Sequence, residues 1–275
     1  IASYYMSNYT CEYCRAVVER AIEGGYNFLD GLCGVDACAQ MNRCMENIEL
    51  LKCIDKPNFF VTHADIPYKY TDYTLDHYVT QMQNRVLNTM HEKLGVDISD
   101  AALREAVARH NEVCKVMTEI SELRKLPNPP ITGYEFHIIN MVSYCCPQKL
   151  ILPYLQETLA EIKKRKPDAK PWYRCRVGIV GSEVDDPNLT RMLEEAGAFI
   201  CFDRFCFGMF PGREVIELND EEPALRQICR YYLITSECPR FMSNEKIEQR
   251  RETADRLARE FDADGIIYEN VKFCD

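Results

Sequence analysis

Arg176-Val177-Gly178-Ile179-Val180-Gly181-Ser182 is an apolar run that ends in a glycine turn, and its reading as a parallel strand decides the fold class. Asp186-Pro187 follows as a helix start with proline in its first turn. That helix ends near Gly197, and Ala198 to Phe202 reads as the next strand. Helices near Pro223 to Leu233 and Asn244 to Phe261 come next, and Gly265-Ile266-Ile267-Tyr268 supplies a last strand. Strand and helix alternate, as they do in parallel sheets with helices on their faces.

The same alternation opens the chain. Cys14, Val17, Val18, Ala21 and Ile22 recur at helical spacing, and Gly24-Gly25 closes that helix. Phe28-Leu29-Asp30-Gly31-Leu32 suits a buried strand, residues 39 to 53 are helix-like, and Asn58 to Thr62 reads as another strand. Between residues 73 and 126 the pattern turns wholly helical: Tyr78, Met82, Val86, Leu87 and Met90 form one amphipathic series and Ala102 to Leu126 a second, joined near Gly95 to Ser99. Pro127 to Gly133 forms a rigid loop, because proline lacks the amide donor and constrains its predecessor. Helices resume at Tyr134 to Ser143 and at Leu150 to Arg165, the latter closing on Lys163-Lys164-Arg165. The polar stretch Lys166 to Trp172 is the expected domain boundary. It divides the chain into 1–168, one parallel-sheet half plus the helical segment, and 169–275, a second such half.

With 275 residues and 47% hydrophobic content the chain can bury two medium cores. A formal charge of −10 offers no basic field for nucleic acid or anionic lipid. No apolar run reaches the roughly 20 residues of a membrane span, and the N-terminus lacks the zones of a signal peptide. The expectation is a cytoplasmic protein. The chain starts at Ile1 and stops at Phe273-Cys274-Asp275 directly after a strand-like run, so residues are expected to be missing at one or both ends, with the second half truncated.

Fifteen cysteines in such a chain argue for reduced thiols or metal ligation rather than a disulfide framework. Cys114, Cys175, Cys201 and Cys229 lie in apolar-periodic or strand-like stretches and are expected in the core. Others fall where doubly wound folds place their ligands, beyond the carboxyl ends of strands. Cys38 follows the first strand, Cys206 follows Ala198 to Phe202, and Cys274 follows the last strand. Cys11 opens the first helix, where amides and the helix dipole favour a thiolate or the sulfides of a cluster. Cys11-x-x-Cys14 alone fits a redox pair, half a zinc site or coincidence. No second such pair and no ferredoxin run occurs, which disfavours a compact zinc ribbon or ferredoxin domain. A cluster held by cysteines distant in sequence stays open.

Three stretches then carry a resemblance: Thr10-Cys11-Glu12-Tyr13-Cys14-Arg15-Ala16, Tyr26-Asn27-Phe28-Leu29-Asp30-Gly31, and Ala37-Cys38-Ala39-Gln40-Met41-Asn42-Arg43. Pro129 to Glu135, Gly181-Ser182, Asp185-Asp186, Glu195-Ala196-Gly197, Asp203 with Cys206 and Gly208, Cys238-Pro239 and Lys272 to Asp275 extend it over nearly the whole chain. In this order they resemble the 2-hydroxyacyl-CoA dehydratase and benzoyl-CoA reductase family. The resemblance implies two Rossmann/flavodoxin-like domains with a helical segment between them. It also implies a [4Fe–4S] cluster on three cysteines, which by motif are Cys11, Cys38 and Cys274, with Cys206 in reserve. Implied partners are a related subunit, in a heterodimer or a homodimer, and a separate iron–sulfur ATPase activator; the implied substrate is an acyl-CoA. The absence of a G-x-x-x-x-G-K-[ST] loop agrees with ATP being used elsewhere.

The implied activity is that of a lyase: loss of water from a 2-hydroxyacyl-CoA through a ketyl radical formed by one injected electron. The alternatives are an ATP-dependent low-potential reductase on the same scaffold, a non-catalytic electron-transfer subunit, and a zinc-binding scaffold. Cys14, Cys33 and Cys44 exceed what one cluster needs; they are packing residues or support a double-cubane cluster. Cys145-Cys146 reads as structural or supporting. The catalytic base is unassigned: His63 beside Asp65, Glu135 and His137 are candidates, each weighed against a structural role. Lys163, Lys164 and Arg165 suit either CoA phosphates or a solvated helix end. Val180 and Glu183 stand where G-x-G-x-x-G needs glycine, against a nicotinamide site.

Overall fold

The structure, a computed structural model, describes residues 1–275 except 37, 167–172, 210–212, 239, 242 and 273–275. Helices α1 (Glu12–Ile22) and α2 (Ala39–Leu50) alternate with strands β1 (Gly31–Val35) and β2 (Phe60–Ala64). Helices α3 (Asp72–Gln81), α4 (Asn88–Leu94), α5 (Asp100–Glu122), α6 (Gly133–Cys145) and α7 (Gln148–Lys164) follow. The chain closes with β3 (Cys175–Gly181), α8 (Pro187–Glu195), β4 (Ala198–Arg204), α9 (Ala224–Thr235), α10 (Asn244–Glu260) and β5 (Gly265–Glu269). This is an α/β fold with parallel sheets, as the alternation predicts.

The chain divides into two compact units. One comprises Ile1–Arg104, Leu218–Met242 and Val271–Asp275; the other comprises Glu105–Glu217 and Ser243–Asn270. The expected division at 168/169 is not this one. Residue 166 falls within the second unit, and 167–172 lie outside the described residues. The reason is α9. Its buried Leu225, Cys229 and Leu233, four residues apart on one face, pack with Leu75 and Tyr78 of α3, so a segment late in sequence belongs to the first unit.

In the first unit β1 and β2 pair in parallel, Gly31 opposite Phe60 and Val35 opposite Ala64, with α2 as the crossover. Strand β1 begins three residues later than the apolar run suggested, and Phe28 is exposed. Val18 and Ala21 of α1 meet Cys44 and Ile48 of α2 in a core that excludes water. A π-helical turn, Met82–Leu87, connects α3 to α4, and Gly95 at φ 67° ends α4 in the left-handed conformation.

In the second unit the strand order is β4-β3-β5, all parallel as expected, and the strand read from Arg176 to Ser182 lies at the centre as β3. Phe199, Ile200, Cys201 and Phe202 of β4 are fully buried, each apolar side chain contributing about 1.5–3 kcal/mol. Helix α6 starts at a capping box of Thr132 and Glu135. Buried Glu194 adds a second cap, accepting from the Gly133 and Tyr134 amides at 2.7 and 3.1 Å. The Pro129 to Glu135 stretch is thus a helix start built against α8 and β4.

Behind β4, fully buried Arg124 donates to Asp203 Oδ2 at 2.5 Å and to Ser121 Oγ at 3.1 Å, and its guanidinium lies 3.7 Å from the centre of the Phe136 ring. Asp203 Oδ1 accepts the Met209 amide at 2.7 Å. A Cβ on Gly208 would stand 2.5 Å from that same oxygen, so the turn after β4 needs glycine there. The Asp203 and Gly208 pattern therefore records a buried ion pair and the turn that wraps it.

Candidate thiol and carboxyl sites at the strand ends

Cys11 and Cys38 are the N-caps of α1 and α2. Neither side chain caps its helix, whereas Thr71, Thr132, Asp186 and Ser243 do so for α3, α6, α8 and α10. A capping side chain contributes about 1 kcal/mol, so cysteine at both positions forgoes ordinary stability. The two helix starts are tied together, since Gln40, in the first turn of α2, accepts the Cys11 backbone amide through its side-chain oxygen. Each thiol then sits where orphan amides and the helix dipole favour negative charge.

Beneath them, Cys14 and Cys44 are buried in the α1–α2 core. Burial, then the neighbouring Cys11, Cys44 and Cys38 thiols, raise Cys14 far above an ordinary thiol. Burial likewise pushes Cys44 up to about 12. Both thiols are buried, while Cys33 on β1 is exposed. Cys274 lies outside the described residues. Among the described residues no group of three or more His, Cys, Asp or Glu side chains is arranged to hold a metal ion. The two thiols nonetheless fit an iron–sulfur cluster in kind: soft sulfur at two helix N-termini over an apolar floor.

The second unit has its own strand-end group. Cys206 is exposed after β4, its amide donating to the Ser182 carbonyl at 3.1 Å, and it shares a side-chain hydrogen bond with Glu183. Burial pushes the Glu183 carboxyl up to about 6; the Cys206 bond opposes this, and Asp185 and Glu269 add to it. Glu183 Oε1 and Glu269 Oε2 are both buried without a hydrogen-bond partner. A carboxyl raised in the native state binds its proton more tightly folded than unfolded, so stability is lost as pH rises through about 6. Glu183→Gln is therefore expected to stabilise the protein by about 2 kcal/mol near pH 8 and by under about 1 kcal/mol near pH 5. Urea unfolding at both pH values checks this; an equal gain at both would contradict it.

The other candidates have structural partners. His137 is buried, bonded to the Val184 carbonyl at 3.0 Å and to Thr190 at 3.3 Å, and burial lowers its pKa. Glu135 caps α6 and pairs with Arg165 at 2.9 Å. Lys163 and Lys164 pair with Glu119 and Glu161, each at 2.7 Å, so the end of α7 is a solvated, ion-paired helix end. His63 lies on β2 with Nδ1 4.0 Å from Asp36, while Asp65 pairs with His77 instead. Cys114, Cys201 and Cys229 are buried as expected, and Cys175 is half-buried. Cys145 is exposed and Cys146 half-buried at the end of α6. Glu183 went unrecognised as a site residue in the sequence; its place just past the strand that ends at Gly181 was the one available signal.

The class is thus that of an α/β protein with thiols at the starts of two helices beside a parallel sheet. The family model for the 2-hydroxyglutaryl-CoA dehydratase D-component matches residues 1–275, and the chain belongs to that family. It is similar to a benzoyl-CoA reductase subunit of Thauera aromatica, 24% identical over 274 residues that cover 98% of this chain and 69% of that protein. It is also similar to the (R)-phenyllactyl-CoA dehydratase beta subunit of Clostridium sporogenes, 24% identical over 282 residues, covering 100% of this chain and 70% of that protein. No helix among the described residues is long and apolar enough to cross a membrane.

Proposed function

We propose that the chain is a subunit of an iron–sulfur 2-hydroxyacyl-CoA dehydratase, a hydro-lyase that removes water from a 2-hydroxyacyl thioester. The observation that carries this reading is the pair of cysteine N-caps joined through Gln40. In it Cys11, Cys38 and Cys274 hold a cluster, and Cys206 is no longer needed. When bound, such a cluster supplies a one-electron store and a Lewis-acidic iron. The chain's own part is to fix two thiolates at helix N-termini, where positive dipole ends favour the negative charge of sulfur. The Cys14 and Cys44 floor keeps water from beneath them. Cys14 and Cys44 are read as packing thiols of the α1–α2 core, so the reading is one cluster rather than a double cubane. The names of both relatives describe them as subunits, which supports a related companion chain. A separate iron–sulfur ATPase activator follows from the same reading.

A second reading, a low-potential reductase subunit, is favoured by one observation: the reductase relative is as similar as the dehydratase relative, at 24% identity. One assay separates the two. The chain is purified anaerobically with its companion subunit and activator, supplied with ATP and reductant, and given 2-hydroxyacyl-CoA or an aromatic acyl-CoA. Dehydration to the enoyl-CoA with catalytic, not stoichiometric, electron use is the expected result. Stoichiometric reduction of the aromatic thioester supports the reductase reading, and no turnover of either substrate contradicts both.

A further inference from the structure

The proposed cluster uses only half of Cys11-x-x-Cys14: Cys11 caps α1 as a ligand, while Cys14 packs in the α1–α2 core. The N-cap and the third residue of a helix are the two positions whose side chains reach across to one another, as in a capping box. Here both carry free thiols. The two share a hydrogen bond and lie in one apolar cluster, so each sulfur has the other as a neighbour. The Cys11 backbone is anchored as well, its amide donating to the Gln40 side chain.

Exposure makes the two thiols unequal. Cys11 is 8% exposed and Cys14 is 2% exposed, so an oxidant of two heavy atoms reaches Cys11 and a bulky one reaches neither. We propose that Cys11 and Cys14 form a peroxide-oxidised dithiol, with Cys11 the sulfur attacked and Cys14 the resolving thiol. The Cys11 sulfur takes one oxygen from hydrogen peroxide, giving a sulfenic acid and one water. The Cys14 sulfur then displaces the hydroxyl from Cys11; the S–S bond forms, and the Cys14 proton leaves with that hydroxyl as a second water. The two thiols lose two electrons in all, and the peroxide gains them. Without a neighbouring thiol a sulfenic acid goes on to sulfinic acid, which thiol reductants do not reverse. The bridge forms in the chain without a cluster and stands on these two sulfurs alone. On the reading proposed above, it withholds Cys11 from the cluster until a reductant returns the thiol.

Trypsin cuts after Arg15, and residues 1–15 hold these two cysteines and no other, so the product is readable by mass. The full chain, stripped of iron by a chelator under anaerobic conditions, is treated with equimolar hydrogen peroxide, unfolded in an alkylating reagent and digested. In the wild type the oxidised peptide is expected to be two hydrogens lighter and unalkylated, and dithiothreitol to return nearly all of it to the dithiol. In Cys14→Ala the same peptide is expected to gain two oxygens at Cys11 under excess peroxide and to keep them after dithiothreitol. Cys11 left alkylated, sulfinic acid at Cys11 in the wild type, or a bridge from either sulfur to Cys38 or Cys44 would overturn the proposal. Iron uptake after dithiothreitol reads the cluster separately: a chain that bridges but never takes iron sinks the cluster reading and keeps the dithiol.

Discussion

Arg124→Ala is expected to remove about 3–5 kcal/mol of folding stability, a large part of the total for a domain. The variant leaves Asp203 as a carboxylate without its cation, 1% exposed, with the Met209 amide as its side-chain donor among the described residues. It also empties the space between Asp203 and the Phe136 ring. Most of the loss comes from the stranded charge rather than from the missing bond, since a pair removed together costs far less than one partner removed alone. Arg124→Met combined with Asp203→Asn is accordingly expected to lose less than Arg124→Ala alone, because the asparagine oxygen still accepts from Met209 and no charge is left buried. Denaturant midpoints of the three proteins check this; equal losses in the single and double variants would show that packing, not charge, dominates.

How much of this was legible in the sequence depends on the kind of signal. Strand β3 was readable because its apolar run is continuous and its glycine turn sharp. Strand β1 was not, because the apolar Phe28-Leu29 precedes it while the strand itself carries two glycines. Gly34 is there for space: a Cβ would stand 2.2 Å from the Met45 sulfur of α2. That requirement is tertiary and leaves no periodicity. The membership of α9 in the first unit was likewise hidden, since the amphipathic pattern reveals a buried face but not what covers it. Cys11 and Cys38 could be placed at helix starts from sequence, because position relative to an apolar-periodic segment is a local property. Glu183 could not, since its interest lies in a buried atom with no partner, which only the assembled fold shows.

The second large effect concerns the thiols. On the proposed reading Cys38→Ala and Cys11→Ala are each expected to abolish cluster binding, because each would remove a ligand and the chain has no four-cysteine run to fall back on. Cys14→Ala is expected to keep its iron and lose only about 1 kcal/mol of stability, as a small buried hydrophobe does. The contrast separates ligand from floor on residues three apart on one helix. Iron retained in Cys38→Ala but lost in Cys14→Ala would reverse the assignment.

The most direct test of the central claim, that sulfur at two helix N-termini holds an iron–sulfur cluster, is iron and acid-labile sulfide content. It is measured with an electron paramagnetic resonance spectrum on anaerobically purified protein and on Cys38→Ala. About four irons and four sulfides per chain, absent from the variant, is the predicted result. No iron under strict anaerobiosis, or the same iron content in the variant, would contradict it.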